Sequence, residues 1–446
     1  MKSNGSDGNG TKFLISGTGA IVDKLKPTWE LYDDLNVELY AADIFDDPPG
    51  RHALPEKAHF FNWKNATERQ QLIEVGWERP FDFVYLSTYP SVHIFTALRL
   101  DFVAKQFIFP KPVDSNFSSM QTLFSEYQAG RAVNLASRSC VHDHYRNKPI
   151  TKFLRAQIAD LHRHNGFLKN LRIFITEWKS IQHEFKPRES LECGIMLDLA
   201  PHALSVAYEV VPNTLSWQSD DGDIYKRVGR RFEIVSAVRG RDNLSILHNQ
   251  DKETFAAIHL RGFEEIEFTP RDMPNCAERI SRAFDVLVVV GKGVSVNDRA
   301  QKQDLKAIEL EFDGQIVRGN FDTNALSGVV NKEVQKEMES KIDTRHRGLN
   351  LPLQELGANG FDLEKLNAGN VITPFQNYEE AYAISSLLEE CSLHHTSRTL
   401  THYHGNASVA DLVNRCVKQG LSSKWALDED DVARLIFGES PRDSVA

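Results

Sequence analysis

Over its first 165 residues the chain alternates between short, mostly apolar runs and longer stretches whose apolar residues recur every three or four positions. Lys12–Ser16, Val37–Ala42, Phe81–Ser87 and Gln106–Phe109 predict buried strands, because a half-exposed strand would alternate apolar with polar. Glu68–Val75, Val92–Arg99 and Phe117–Tyr127 predict helices between and after them, the last capped by Asn116 and stopped by Gly130. A further strand is predicted over Ala132–Ser139. After it comes a helix with Ile150, Phe153, Leu154, Ile158 and Leu161 on one face, ended by Asn165-Gly166.

The pattern then changes. Leu171–Trp178 alternates like a strand, Cys193–Leu199 is apolar but for Asp198, and Pro201 opens a helix running through Val206 and Val210. From about residue 214 to 325 short alternating segments dominate: Phe232–Val238, Ser245–His248, Thr254–Leu260, Glu264–Thr269, Val286–Val290, Leu305–Phe312 and Ile316–Asn320. With Asp313-Gly314 as a hairpin turn, they predict a largely antiparallel sheet. Tyr378–Glu390 and Val409–Gly438 read as helical. The domain order expected is therefore a disordered leader over 1–11, an α/β domain over 12–148, an α+β antiparallel-sheet domain over 149–390 and a helical extension over 391–446.

Chemistry concentrates where predicted strands end. Gly17-Thr18-Gly19-Ala20-Ile21-Val22 follows the first strand as a GxGxxG fingerprint with Val22 in the third glycine's place. Such a turn lets a pyrophosphate approach the backbone and sit on a helix N-terminus. Asp43 closes the second strand 24 residues past Gly19, where a Rossmann domain bonds a ribose hydroxyl. Ser87 and Thr88 break the next strand at the same end and join Gly17, Thr18, Gly19, Ala20, Ile21 and Asp43 as expected cofactor contacts. Pro110 and Pro112 fix the backbone around Lys111, at the end of the strand after that. Asp143-His144-Tyr145-Arg146-Asn147-Lys148 forms a polar knot between strand and helix, able to hold a small anionic or polyhydroxy ligand. His202 falls in the first turn of its helix, four residues after Asp198. There the helix N-terminus favours a neutral imidazole able to accept a proton.

The net charge of −10 argues against nucleic acid as the main partner. Five irregularly spaced cysteines without a CxxC pair fit reduced thiols in a cytoplasmic protein, and no apolar run reaches membrane length. His394, His395, His402 and His404 crowd one segment, but their spacing matches no metal signature, and no metal is expected.

With these residues in view, the chain resembles the glucose-6-phosphate dehydrogenase family. It resembles more loosely the group of glucose–fructose oxidoreductase and inositol dehydrogenase. The resemblance runs in order over residues 13 to 390. That family's Glu-Lys-Pro appears as Pro110-Lys111-Pro112, and its Asp-His-Tyr-Leu-Gly-Lys as Asp143-His144-Tyr145-Arg146-Asn147-Lys148. The inositol dehydrogenase pattern Gly-x-x-x-Asp-x-x-x-His appears as Gly194, Asp198 and His202, and a second-domain Gly-Lys as Gly291-Lys292. The resemblance implies a Rossmann domain followed by an antiparallel-sheet domain for substrate and dimerisation. It implies that Lys111 bonds the reacting hydroxyl, that His202 is the general base and that Asp143 orients it. His144, Tyr145 and Lys148 would hold a substrate phosphate, with Asp198 also on the substrate. The departures matter: Asp43 stands where the NADP-using form has an arginine, Pro110 replaces a glutamate, and Arg146-Asn147 replace Leu-Gly.

The expected activity is hydride transfer between a sugar or sugar-phosphate and NAD, with NADP possible through Arg51. The alternative is a catalytically silent homologue that binds a sugar or a protein. A homodimer is expected through the outer face of the second-domain sheet, because helices on one face would leave the other apolar face open.

Overall fold

Strands β1 (Lys12–Ser16), β2 (Glu38–Asp43), β3 (His59–Asn62), β4 (Phe81–Leu86), β5 (Ala104–Pro110) and β6 (Ser139–His142) form one parallel sheet, ordered β3-β2-β1-β4-β5-β6. This computed structural model describes residues 10–111, 113–114, 119, 135, 138–178, 189–242, 253–296, 303–328, 347–362, 383–384, 386–391, 400–403 and 407–437. The chain divides into two units, Met1–His144 with His346–Ala383, and Tyr145–Arg345 with Ile384–Ala446. In the first, α1 (Ala20–Lys24) and α2 (Lys26–Asp34) follow β1, α3 (Ala66–Glu78) follows β3, and α4 (His93–Leu100) follows β4. Asn65 caps α3 by accepting from the backbone N–H of Thr67 and Glu68.

The strand before the polar knot is later than predicted. It spans Ser139–His142, not Ala132–Ser139, and Leu135 is helical. Pairing decides this: Phe107, Ile108 and Phe109 of β5 register with Ser139, Cys140 and Val141, which draws Cys140 to His142 into the sheet. The predicted leader (but for its last two residues), the helix Phe117–Tyr127 (but for Ser119, which is helical), the strand Ser245–His248 and His394, His395 and His404 lie outside the described residues.

The second unit begins with α5 (Pro149–Asn165), stopped by Gly166 at φ 76°. Next come β7 (Leu168–Glu177), α6 (Glu189–Asp198, bent at Gly194) and α7 (Ala200–Val210). The strands β8 (Leu215–Gln218), β9 (Ile224–Asp242), β10 (Phe255–Thr269), β11 (Glu278–Lys292), β12 (Val294–Ser295), β13 (Leu305–Phe312), β14 (Ile316–Asn320) and β15 (Leu326–Ser327) follow. The large sheet is ordered β15-β14-β13-β7-β11-β10-β9, with β8 and a late strand from the end of the chain on β9, and is antiparallel except where β7 meets β11 and where that late strand meets β9. Three strands are far longer than predicted. The two expected at Thr254–Leu260 and Glu264–Thr269 are one, β10. Gly262, between them, is where the backbone admits the Phe284 ring; a Cβ there would lie 2.2 Å from that ring.

The chain then returns to the first unit. α8 (Arg347–Ala358) packs Leu349, Leu353 and Leu356 into the core formed by Phe13, Trp29, Tyr32 and Phe83. Thr28 donates to Asn350 Oδ1 at 2.7 Å, and Tyr32 to the Leu353 carbonyl at 2.7 Å.

The end of the chain goes back to the second unit as β16 (Leu400–Tyr403, parallel on β9), β17 (Ala407–Ser408, beside β12), α9 (Val409–Lys418) and α10 (Glu429–Phe437). Val409, Leu412, Val413, Trp425, Val432 and Leu435 share one core with Phe174, Val238, Phe255, Ala257, Leu287, Val289 and Leu305 of the sheet. Side chains alternate faces along a strand. Val286, Val288 and Val290, on the opposite face of β11, are also fully buried, with α7 lying over β7 and β11. This corrects the expectation of an open apolar face for dimerisation: the chain's own C-terminal helices cover it. Beyond them β9 and β10 present Arg231, Glu233, Arg261 and Glu265, with the half-exposed Val235 beside Glu233. Among the described residues no helix is long and apolar enough to cross a membrane.

Candidate functional site

In the first unit the order of strands reverses between β1 and β4, and a crevice opens at such a switch point beyond the carboxyl ends of the strands. Because the sheet is parallel, Thr18, Asp43, Ser87, Lys111 and Asp143 all follow or end their strands at that one edge. Gly17 has φ +91°, and a Cβ there would lie 2.7 Å from the Ser87 carbonyl, so only glycine lets the turn pass the end of β4. The turn is held from β2. Thr18 donates to Asp43 Oδ2 through its backbone N–H at 2.6 Å and its hydroxyl at 2.9 Å, and the Phe45 N–H donates to Oδ1 at 3.1 Å. Gly50 completes it, its N–H donating to the Thr18 carbonyl at 2.8 Å. A Cβ on Gly50 would lie 2.5 Å from the Gly19 carbonyl.

Ser87 Oγ and Thr88 Oγ1 are buried beside this turn without a hydrogen-bond partner in the structure. Buried hydroxyls ordinarily find partners, so the two orphans and the glycine cradle fit an extended polar ligand lying across the strand ends. Arg51 stacks its guanidinium on Phe60, 4.3 Å from the ring centroid, and donates to the Asp46 carbonyl. Lys111 follows β5, its backbone N–H donating to the His142 carbonyl at 3.4 Å. His144 lies in the turn after β6.

In the second unit, Tyr145 packs on His202, ring centroids 4.6 Å apart, and edge-on against Phe321 at 5.5 Å. His202, in the first turn of α7, is 1% exposed. The Lys148 ammonium donates to the Phe321 carbonyl at 3.1 Å and lies 3.7 Å from Asp322. Asp198 pairs with Lys292 at 2.8 Å, and Glu177 lies 3.7 Å from the same lysine. Lys306 joins Asp304 at 2.8 Å and Asp322 at 3.6 Å. Burial pulls the Lys306 pKa down, but Asp322, Asp304 and Glu177 outweigh it and raise it above the ordinary value. The structure thus brings Tyr145, Lys148, Asp198 and His202 into one unit. It adds Phe321, Asp322, Glu177 and Lys306, which no sequence motif marked.

Arg146 turns to Glu209, a 6%-exposed carboxylate seven residues past His202 on α7, which Arg155 grips from its other side at 2.5 Å. The knot is thereby fastened to the helix that carries His202.

No family model matches the chain, and no curated protein matches it in sequence. Solved structures match its fold. A myo-inositol dehydrogenase from Corynebacterium glutamicum aligns with 87% of this chain and 97% of its own at 14% identity, TM-score 0.54. KijD10, a 3-ketoreductase from Actinomadura kijaniata in complex with NADP and TDP-benzene, aligns with 88% and 99% at 11% identity, TM-score 0.54. An oxidoreductase from Agrobacterium radiobacter in complex with NAD+, L-tartaric acid and magnesium aligns with 86% and 97% at 13% identity, TM-score 0.52. The shared property is the fold: a parallel dinucleotide-type sheet followed by a large mixed sheet. The likeness falls on the inositol dehydrogenase side of the sequence resemblance. The glucose-6-phosphate dehydrogenase side gains no support from these structures.

Proposed function

We propose that the chain is an NAD-dependent oxidoreductase acting on an unphosphorylated polyhydroxy compound, a sugar or a cyclitol. The observation that carries this reading is the glycine turn at the β1–β4 switch point, tied to Asp43 and bordered by the orphaned hydroxyls of Ser87 and Thr88. Gly17, Thr18, Gly19, Ala20 and Ile21 would line a pyrophosphate, and Ser87 and Thr88 would bond the nucleotide beyond it. Bound there, a nicotinamide would supply the hydride acceptor or donor. Solved neighbours carry NAD+ in one case and NADP in another, so fold does not choose between them. Asp43 does, because a carboxylate accepts from a free 2′-hydroxyl and repels a 2′-phosphate.

On the substrate side, His202 would hold the proton of the reacting hydroxyl, accepting it in oxidation and returning it in reduction. Asp143, two residues before Tyr145 in the chain, is assigned to the imidazolium, and Lys111 to the reacting oxygen. His144, Tyr145 and Asp198 are assigned to neighbouring hydroxyls. Lys148 is the reason to prefer a neutral substrate. Asp322 and the Phe321 carbonyl already balance its ammonium, which suits a hydroxyl better than a phosphate dianion. Among the neighbours in fold, the myo-inositol dehydrogenase supports the same class.

Thermal shift with NAD+ and NADP+, followed by a panel of free and phosphorylated sugars and inositols, tests the proposal. A larger shift with NAD+ and turnover of an unphosphorylated compound are expected. No shift with either nucleotide sinks the oxidoreductase reading. Nucleotide binding without turnover across the panel favours the silent homologue.

A further inference from the structure

In the first unit α4 is apolar on two faces. His93, Ala97 and Leu100, with Val103 just past its end, are buried. Phe95, Leu98 and Phe102, spaced three and then four residues apart, point outward and are 54%, 56% and 53% exposed. Trp77, at the end of α3, extends the stripe: it is 63% exposed, its ring 6.0 Å from that of Phe102. A helix with only one face to bury carries polar residues on the other. At ~200 Å² per large side chain these four expose roughly 450 Å² of apolar surface, the scale of the largest patch on a typical monomer, which is often functional.

We propose that this stripe joins two copies of the chain across a two-fold axis passing near Leu98. Charge supplies the argument for a second copy. At one end the Arg99 guanidinium lies over the Phe95 ring, 4.3 Å from its centroid. At the other, Glu74 and Glu78 flank Trp77 on α3 and are exposed. A two-fold axis across the stripe sets the cationic end of one copy on the acidic end of the other, as an isologous contact requires. Two phenylalanines, a tryptophan and an arginine are the residue types that anchor such contacts. Apolar stripe and charged rim together approach about 800 Å² per partner, the scale of a standard interface. Among the described residues, the apolar face of the second-unit sheet is covered by α9 and α10. The proposal is independent of the catalytic reading.

Sedimentation velocity of the full chain over micromolar to 100-micromolar concentrations, on the order of common self-association constants, tests it. The weight-average mass should rise from 50.6 kDa toward twice that value. Leu98→Asp should weaken association at least tenfold while the melting temperature stays put, because the side chain is 56% exposed. Arg99→Glu and Glu74→Arg should each weaken it, and the double variant should recover it. A single mass of 50.6 kDa throughout overturns the proposal, leaving the stripe to a different partner. So does a dimer indifferent to Leu98→Asp. A charge swap that fails to recover association overturns the two-fold arrangement.

Discussion

Asp43 serves two ends with one carboxylate. Facing the glycine turn it accepts the Thr18 and Phe45 N–H groups and the Thr18 hydroxyl; its position at the end of β2 suits a ribose hydroxyl. Asp43→Ala therefore leaves buried donors unpaired, at about 1–3 kcal/mol. It should lower stability as well as NAD+ affinity, whereas Asp43→Asn, which keeps an acceptor, should spare more of the stability and narrow the preference for NAD+ over NADP+. Calorimetric titration of both nucleotides checks this, and unchanged selectivity in Asp43→Asn would remove Asp43 as the discriminating residue. His202→Asn should cut kcat by roughly 10²–10⁴, the usual contribution of a general base. Turnover within a few-fold of wild type would assign the proton to another group. These residues were legible because each pairs an unusual side chain with a strand end or helix start. Lys306, Glu177 and Asp322 were not: their charges are common surface types, and only the assembled sheet shows that Lys306 is 15% and Glu177 22% exposed at the side chain.

The elements carrying the site are held by contacts that sequence patterns do not announce. Glu209 reads as one acid on an apolar helix, yet it receives Arg146 from the knot and Arg155 from α5. Removing one partner of a buried ion pair strands the others, so Glu209→Ala should cost about 3–5 kcal/mol in urea unfolding. A loss under 1 kcal/mol would mean that solvent already screens the cluster. The strands show the same limit. Leu305–Phe312 and Ile316–Asn320 were legible to the residue, because Asp313-Gly314 punctuates an alternating pattern. The outer halves of β9, β10 and β11 were not, because cross-strand pairs such as Lys226 with Glu267 and Arg279 with Glu267 replace apolar alternation there. Val286–Val290 did hold the missing clue: a run apolar at every position belongs to a strand covered on both faces, and α7 and the C-terminal helices supply the covers.

At the scale of the molecule, the second unit owes part of its stability to a histidine kept neutral. His162 is enclosed by α5, β8 and the turn at Gly166. It stacks on Trp217 with ring centroids 4.6 Å apart, lies 3.0 Å from the Gly166 carbonyl through Nδ1 and 3.1 Å from Arg227 through Nε2. Burial, then the Arg227 charge, pushes its pKa down from 6.5 to about 3, against the Gly166 carbonyl, and Arg282 adds to the fall. Arg227 is itself paired with Glu264, so its positive charge is partly matched but not removed. The sign follows. Between pH 6.5 and 3 the unfolded chain binds a proton at this residue and the folded chain does not. The contribution is therefore complete above pH 6.5 and is lost as pH falls, at up to about 1.4 kcal/mol per pH unit. Between pH 6.5 and 4.5 the wild type should lose roughly 2–3 kcal/mol more than His162→Asn, whose side chain does not titrate. Urea unfolding at intervals across that range reads the difference, which does not depend on the variant's lower starting stability. Parallel curves for the two proteins would show that His162 takes up its proton without unfolding the unit.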